Sequence, residues 1–485
     1  MSPSVEEPRP AQPDLEPARV RTLLVILITA AFVVILNETV LSVALPDLMD
    51  ELDIPAPTAQ WLTTGFMLTM AVVIPTTGFV LQRFAHRRVF MAAMVLFTLG
   101  TLLAMLAPGF SVLMVGRVIQ ACGTALMLPL LMTTVLNVIP VERRGSVMGL
   151  ISVVISVAPA VGPTISGLIL DSLSWRWLFA IMLPIALAAL ALGAWLMPAM
   201  GEQRRVGLDL ISVPLSVLGF GGLVMGLNGI GASDAAIPAV PSFVVGVIAL
   251  VLFVLRQRSL QREDRALLDL RPFTYRVYTI SLGLMIVSFG GLFGMIILLP
   301  IYLQSVQAHS TLTTGLVMLP GGLIMGLLSP FVGRFYDRHG ARVLVIPGTI
   351  LLSLGMFTLS RLALETPLWT VVMAHVIISC GLALLITPLM TSALGSLPQP
   401  LYSHGSALLN TLQQVAGAAG GALFITLMSV GTLAAVRGGE SELEATAHGV
   451  HVAFLVGFGI ALVAVALSFV VPRKPASPAG RQTLD

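Results

Sequence analysis

Two ionisable residues stand where this sequence otherwise has none. Glu38 lies in an apolar run over 22–46 and Arg117 in another over 111–138, and no other acid or cation falls well inside such a run. A charge at the middle of a membrane-spanning helix costs roughly 2.5–3.5 kcal/mol on insertion scales, so side chains of this kind are rarely incidental. Burial favours the neutral form of a carboxyl group, and a neighbouring cation favours the charged one. An acid held between these influences changes its proton occupancy when its surroundings change. The chemistry indicated is therefore proton binding and release. Glu38 precedes the end of its run at Pro46 by eight residues, and Arg117 follows the start of its run near Ser111 by six. In antiparallel helices rising about 1.5 Å per residue, both lie at similar depth, roughly 9–12 Å below one boundary. A static ion pair that fixes helix packing is the plain alternative, and direct contact with a substrate is a third.

The elements that must position this pair are long apolar helices. The chain of 485 residues is 56% hydrophobic and 10% charged, with a mean hydropathy of +0.97. A water-soluble surface requires nearer one quarter charged residues. Runs near 20 residues, enough to cross about 30 Å of hydrocarbon, occur at 22–46, 60–81, 89–107, 111–138, 146–170 and 177–197. Two more lie at 209–230 and 238–255. A last six lie at 276–304, 311–332, 343–361, 368–395, 404–432 and 449–471. They are continuous and lack the alternation of a barrel strand, so an all-α protein with fourteen transmembrane helices is expected.

Loop charge sets the orientation. Connections on the cytoplasmic side retain Lys and Arg. Of the 26 cations, only Arg176, Arg361 and Arg437 fall in odd-numbered connections, and only Arg117 falls in a span. The even-numbered connections and both tails hold the rest, including Arg83, Arg87, Arg143, Arg144, Arg334, Arg338 and Arg342. The connection 396–403 carries none. The first odd-numbered loop is acidic, with Asp47, Asp50, Glu51 and Asp53. Both termini are thus expected in the cytoplasm, and the first run reads as a retained helix, too long for a cleaved signal peptide.

Several functions are excluded. The single lysine, Lys474, lies in the C-terminal tail, so the chain has no P-loop to hold ATP phosphates and no buried lysine for a Schiff base. Cys122 and Cys380 both fall in spans, which indicates neither a disulfide framework nor a metal site. The net charge of +3 is dispersed over loops and does not form a nucleic-acid stripe. No metal or cofactor is expected, and work done against a gradient must draw on an ion gradient.

An internal repeat organises the rest. After the second span the chain reads GFVLQRFAHRR (Gly78 to Arg88), and after the tenth it reads GRFYDRHGAR (Gly333 to Arg342). Gly78 pairs with Gly333, Arg83 with Arg338, and Arg87 with Arg342. Each loop follows the second helix of a six-helix group. The expected organisation is a tail over 1–20, a half over 21–197, two linker helices with loops over 198–275, a second half over 276–472 and a tail over 473–485. Transporters with repeated halves place the substrate site where the halves meet.

These residues resemble the major facilitator superfamily, in particular its fourteen-helix drug:proton antiporters, and most of all the lincomycin-resistance type of multidrug exporter. The loop pattern G-x-x-x-D-R-x-G-x-R is complete at Gly333, Asp337, Arg338, Gly340 and Arg342. The first copy has Gln82 in place of Asp and Ala85 in place of Gly. LMVGRVIQACG, from Leu113 to Gly123, is similar to the family motif around Arg117 and Gln120. APAVGPTISG, from Ala158 to Gly167, is similar to the antiporter motif and keeps Gly162, Pro163 and Gly167. NETVLSVALP, from Asn37 to Pro46, looks like the first-helix signature, with Asn37 at the usual Asp position and the acid one place on at Glu38. WRWLF (Trp175 to Phe179) and GSALLNTLQQ (Gly405 to Gln414) resemble signatures at the sixth and thirteenth spans.

The resemblance implies a proton-coupled exporter of small lipophilic or cationic drugs, working by rocking of two halves, and a multi-pass place in the cytoplasmic membrane of a bacterial cell is expected. Glu38 and Arg117 are the expected coupling pair. Asn37, Gln120, His375, Asn410, Gln413 and Gln414 are candidates for the substrate cavity, although polar glue between helices explains Asn410, Gln414, Gly417 and Gly421 equally, and His375 also reads as a packed, hydrogen-bonded residue. The loops from Gly78 and Gly333 are candidate gates. Expected partners are a small molecule, protons and membrane lipid around a monomer, with no nucleic acid. An exporter of lipid or of a secreted metabolite is the alternative within transport, and a non-transporting membrane sensor is the alternative outside it.

Overall fold

A computed structural model describes residues 17–41, 44–197, 209–228, 238–263 and 265–472. The tail cations Arg9, Arg473, Lys474 and Arg481, with Arg204 and Arg205, lie outside the described residues. Every regular element among the described residues is helical. In chain order the α-helices are α1 (Pro17–Val40), α2 (Leu45–Leu52), α3 (Ala56–Arg83), α4 (His86–Met105), α5 (Phe110–Val138), α6 (Arg144–Leu170) and α7 (Arg176–Leu196). They continue with α8 (Ser212–Asn228), α9 (Ala239–Gln261), α10 (Arg276–Ile301), α11 (Thr311–His339), α12 (Arg342–Ser360), α13 (Leu368–Gly395), α14 (Tyr402–Arg437) and α15 (Glu442–Ser468). Twelve of these are long and apolar enough to cross a membrane. The other two at expected span positions are α6, with 27 residues, and α8, with 17. The outer surface is apolar, with Trp195, Leu168, Val240 and Leu312 all exposed. That arrangement is stable only against hydrocarbon.

The end of the first expected run shifts. The first run, taken to Pro46, contains a helix that ends at Val40, and α2 begins at Leu45. Leu45, Leu48, Met49 and Leu52 share one face of α2, while Asp47, Asp50 and Glu51 lie on the others, the pattern of a short interfacial helix. Leu48 is fully buried, and Glu51 accepts from the Trp175 indole at 2.8 Å and bonds Arg176. This pins α2 to the start of α7. Glu38 therefore sits in the last turn of α1 and not at mid-span.

Apart from α6 and α11, which pack most extensively on each other, helices α1, α3–α5 and α7 pack mainly within one set and α10 and α12–α15 within another. The two sets meet along α6 with α11 and along α3 with α14. Small residues permit the first crossing. A Cβ on Gly333 would lie 2.2 Å from the Gly145 carbonyl oxygen, and one on Gly149 would lie 2.6 Å from that of Ser329. Close backbone approach of this kind is how helices associate in lipid, where no hydrophobic gain separates Leu from its surroundings. Between the sets, α8 and α9 form a tight antiparallel hairpin. Gly222 faces Gly246, Phe220 stacks edge-on with Phe253 at 6.0 Å, and Arg256 grips Asp209 with two bonds of 2.6 Å. Helix α8 rests on both α3 and α14.

Candidate functional site

Arg117 is fully buried. It projects from the second turn of α5, and three elements converge on it. Its Nη1 donates to Oδ1 of Asn37 on α1 and to Oε1 of Gln120 on α5, both at 3.0 Å. Its Nε donates to the Leu62 carbonyl of α3 at 3.4 Å, and its guanidinium lies over the Phe66 ring, 4.0 Å from the centroid. Gln120 in turn donates to Thr101 of α4 at 2.8 Å. Nη2 has no hydrogen-bond partner among the described residues. A buried cation is tolerated when hydrogen bonds and an aromatic face replace its water, and four helices contribute to that here.

The expected depth match holds: Arg117 bonds the residue next to Glu38. The direct ion pair weighed from sequence is not present among the described residues. Asn37 occupies the acceptor position, and Glu38 feels the guanidinium through space. Glu38 is half-buried. Leu27, Ala31 and Val34, which lie 11, 7 and 4 residues before it on the same helical face, are all fully buried, whereas lipid-facing Val25 is on another face. The residual exposure of Glu38 is thus directed into the bundle.

The motif on α6 abuts this turn. A Cβ on Gly162 would lie 2.2 Å from Thr39 Oγ1, and Ser166 Oγ donates to the Val40 carbonyl at 2.8 Å. Gly162 lets α6 press against the residue that follows Glu38. Gly167 has open space where a Cβ would be. Pro163 lies in α6, and its side chain is outside the described residues.

The remaining cavity candidates lie elsewhere. Asn410, on α14, donates to the Ser406 carbonyl at 2.8 Å and to Met132 Sδ of α5 at 3.4 Å, so it bridges the two helix sets. Gln413 is buried with Nε2 unpartnered among the described residues, and His375 is buried with Nδ1 likewise. Gln414 is half-buried. Gly417 and Gly421 pack against Phe293 and Ile297 of α10. His375 packs on Gly321 of α11, where a Cβ would meet its ring. Neither His375 nor Gln413 joins the Arg117 cluster.

The two repeated loops lie at the end of the bundle that carries most loop arginines, here termed the basic end. Asp337 caps the start of α6, accepting from the backbone N–H groups of Gly145 and Ser146 at 2.7 and 2.8 Å and from Ser146 Oγ at 2.5 Å. This carboxylate at a helix N-terminus meets both unsatisfied donors and the positive end of the dipole. Gly340 ends α11 at φ +79°, a left-handed conformation that favours glycine. In the first copy, Gln82 donates to the Pro400 carbonyl at 3.0 Å, so the amide still bridges the sets with reversed polarity. Gly78 presses on His404. Arg87 bonds the Ala194 carbonyl at the end of α7. Arg83, Arg338 and Arg342 make no hydrogen bond or ion pair among the described residues.

Several contacts were not anticipated from sequence. Arg144, read only as a loop cation, donates to Tyr402 Oη at 3.2 Å, and Thr387 donates to Ser152 Oγ at 2.7 Å. Every hydrogen bond that joins α1–α7 to α10–α15 among the described residues lies in the half of the bundle nearer the basic end.

Comparison with known proteins follows this geometry. A family model described as the Major Facilitator Superfamily matches residues 27–421. The chain is 41% identical over 448 residues to the lincomycin resistance protein LmrB of Listeria monocytogenes, covering 91% of this chain and 94% of that one. It is 36% identical to LmrB of Bacillus subtilis, over 94% and 96%. It is 32% identical to a multidrug resistance protein B homolog of Mycobacterium tuberculosis, over 85% and 75%. Among solved structures, the human organic anion transporter MFSD10 superposes with a TM-score of 0.65 at 14% identity, over 94% of this chain and 100% of that one. The proton:xylose symporter XylE gives 0.62 at 15% identity, over 94% and 97%. With twelve long apolar helices among the described residues, the chain is a multi-pass bacterial membrane protein.

Proposed function

Because this chain belongs to the Major Facilitator Superfamily, we propose that it is a secondary transporter exporting small lipophilic or cationic drugs in exchange for protons, by alternating access. In this reading fourteen helices span the membrane as two six-helix halves, 21–197 and 276–472, flanking the linker of 198–275. The basic end faces the cytoplasm, a reading that the arginine distribution supports. The relatives named for lincomycin and multidrug resistance support the substrate class.

One observation carries the proton coupling: a half-buried acid in the last turn of α1 points into the bundle beside a buried guanidinium that Asn37 and Gln120 already engage. Glu38 takes a proton from the outer side while the basic end is closed. Its neutral form favours closure of the outer side, and it releases the proton to the cytoplasm when the basic end opens. Only a difference in affinity between the two states drives such a shift. The Gly162–Thr39 contact gives α6 a route to sense the change. The Asp337 cap and the Gly145–Gly333 crossing hold the basic end shut, so the structure described is the outward-facing form in this scheme. A single acid in the site implies one proton per cycle.

The test is transport in proteoliposomes with an imposed pH gradient, using a lincosamide and a cationic dye. Glu38→Gln should insert and bind drug yet lose uphill export. Gradient-driven export at the wild-type rate in that variant would overturn the coupling role.

A further inference from the structure

The chain between α9 and α10 does not simply cross the basic end. Ala266, Leu267, Leu268 and Asp269 are buried there, which is unusual for a loop because its backbone groups need partners. Those partners come from the linker hairpin on one side. The Leu268 N–H donates to Oε1 of Gln257 at 3.2 Å, Gln257 Nε2 donates to Ser212 Oγ at 2.7 Å, and Gln261 Nε2 donates to the Asp269 carboxylate at 2.6 Å. On the other side stands one imidazole. The Asp269 N–H donates to Nδ1 of His404 at 3.2 Å, which requires the ring proton to sit on Nε2. His404 belongs to the first turn of α14 and is 3% exposed. Gly78 of α3 closes against the same ring, since a Cβ there would lie 2.6 Å from Nδ1 and 3.3 Å from the His404 Cα. A single side chain thus touches α3, α14 and the linker connection.

We propose that the 265–271 segment is a latch on the cytoplasmic gate and that His404 is its positioning residue: docking of the Asp269 N–H on the imidazole holds the start of α14 against Gly78 of α3. The inference rests on the alternating-access reading and gives the linker hairpin a task within it, that of anchoring the latch. When α14 leaves α3, the buried Asp269 N–H loses its acceptor or drags the connection with it, and an unpaired buried donor is costly. Closure is favoured by the same amount.

The experiment uses the full-length protein without Cys122 and Cys380, labelled with nitroxides at Arg88→Cys and His339→Cys, two exposed positions on opposite halves. Electron–electron distance distributions report opening of the basic end. His404→Asn presents an oxygen near the place of Nδ1, whereas His404→Leu has the same shape and no acceptor. His404→Leu should raise the open fraction about five-fold, the effect of one net hydrogen bond, and Gln257→Leu should act in the same direction. His404→Asn should keep the wild-type distribution. Equal shifts in the Asn and Leu variants would reduce the ring to packing and overturn the latch, as would unchanged distances in both Leu variants. Drug flux through the wild type is read separately. Unchanged distances with flux intact remove the latch alone, while loss of flux with the distance shift intact removes the transport reading and leaves the latch supported.

Discussion

Asp337→Asn keeps side-chain volume and removes one negative charge from the point where α11 meets the first turn of α6. In the wild type, two backbone N–H groups and one hydroxyl donate to that carboxylate over 2.5–2.8 Å. An amide can offer its oxygen to one N–H but must turn its own NH2 toward the other. At least one charge-assisted bond is therefore replaced by a donor–donor contact. Bonds to charged groups contribute about 1.5–3 kcal/mol each, and the helix terminus adds about 0.3–1 kcal/mol at a partly exposed site. Because Asp337 is half-buried, the low end applies, about 2 kcal/mol, or roughly thirty-fold in the closed-to-open ratio. The assay is labelling of a Thr133→Cys reporter, which faces Ser406 across the two helix sets, by an impermeant maleimide in inside-out vesicles. The labelling rate should rise by roughly that factor. A rate equal to wild type would refute the assignment of the cap as a gate element, because no other group replaces the lost acceptor.

Two further outcomes follow from the site and the linker. Arg117→Lys keeps the charge but loses the planar fork that reaches Asn37 and Gln120 and the face of Phe66. Uphill export should fall at least about tenfold with insertion unchanged, measured as initial rates in proteoliposomes. Asp209, which lies before the first residue of α8 at Ser212 and so outside the helix of the expected 209–230 run, is held well below the ordinary carboxylate range, first by the Arg256 hydrogen bonds and then by those from Ser212, against the opposing effect of burial. A carboxyl depressed in the folded state adds stability that is complete above its unfolded value near 4 and is lost as pH falls toward the folded value. Asp209→Asn should therefore lower thermal stability by ~1 kcal/mol at pH 7, by the same amount at pH 5, and by progressively less below about pH 4. Melting of the detergent-solubilised protein across that range checks the sign.

Helix positions were legible because hydrophobic length is a strong signal: each expected run contains a helix. The expected end of the first differs because Leu41, Val43, Ala44 and Leu45 keep the run largely apolar beyond Val40, and apolar character alone does not mark where a spanning helix stops. The amphipathic spacing of Leu45, Leu48, Met49 and Leu52 carried that information. The proximity of Glu38 and Arg117 was readable from counting residues, but Asn37 as the actual acceptor was not, since one residue of rotation lies within the error of any such count. The contacts between the helix sets were the least legible. Gly145, Gly149 and Gly333 look like ordinary glycines until the crossing is seen. The connection 396–403, which lacks cations, receives Arg144 through Tyr402 and Gln82 through Pro400, so its electrostatics reside in a distant stretch of chain.

The hairpin of α8 and α9 makes the two flanks of the molecule unlike. On one flank α6 and α11 face each other directly through glycine backbones. On the other, α8, which belongs to neither helix set, rides against both α3 and α14. A body built by duplication would expose two equivalent seams to the surrounding bilayer. This one has a seam closed by buried main chain against main chain and a second seam capped by an added strut, so lipid meets two unlike sides.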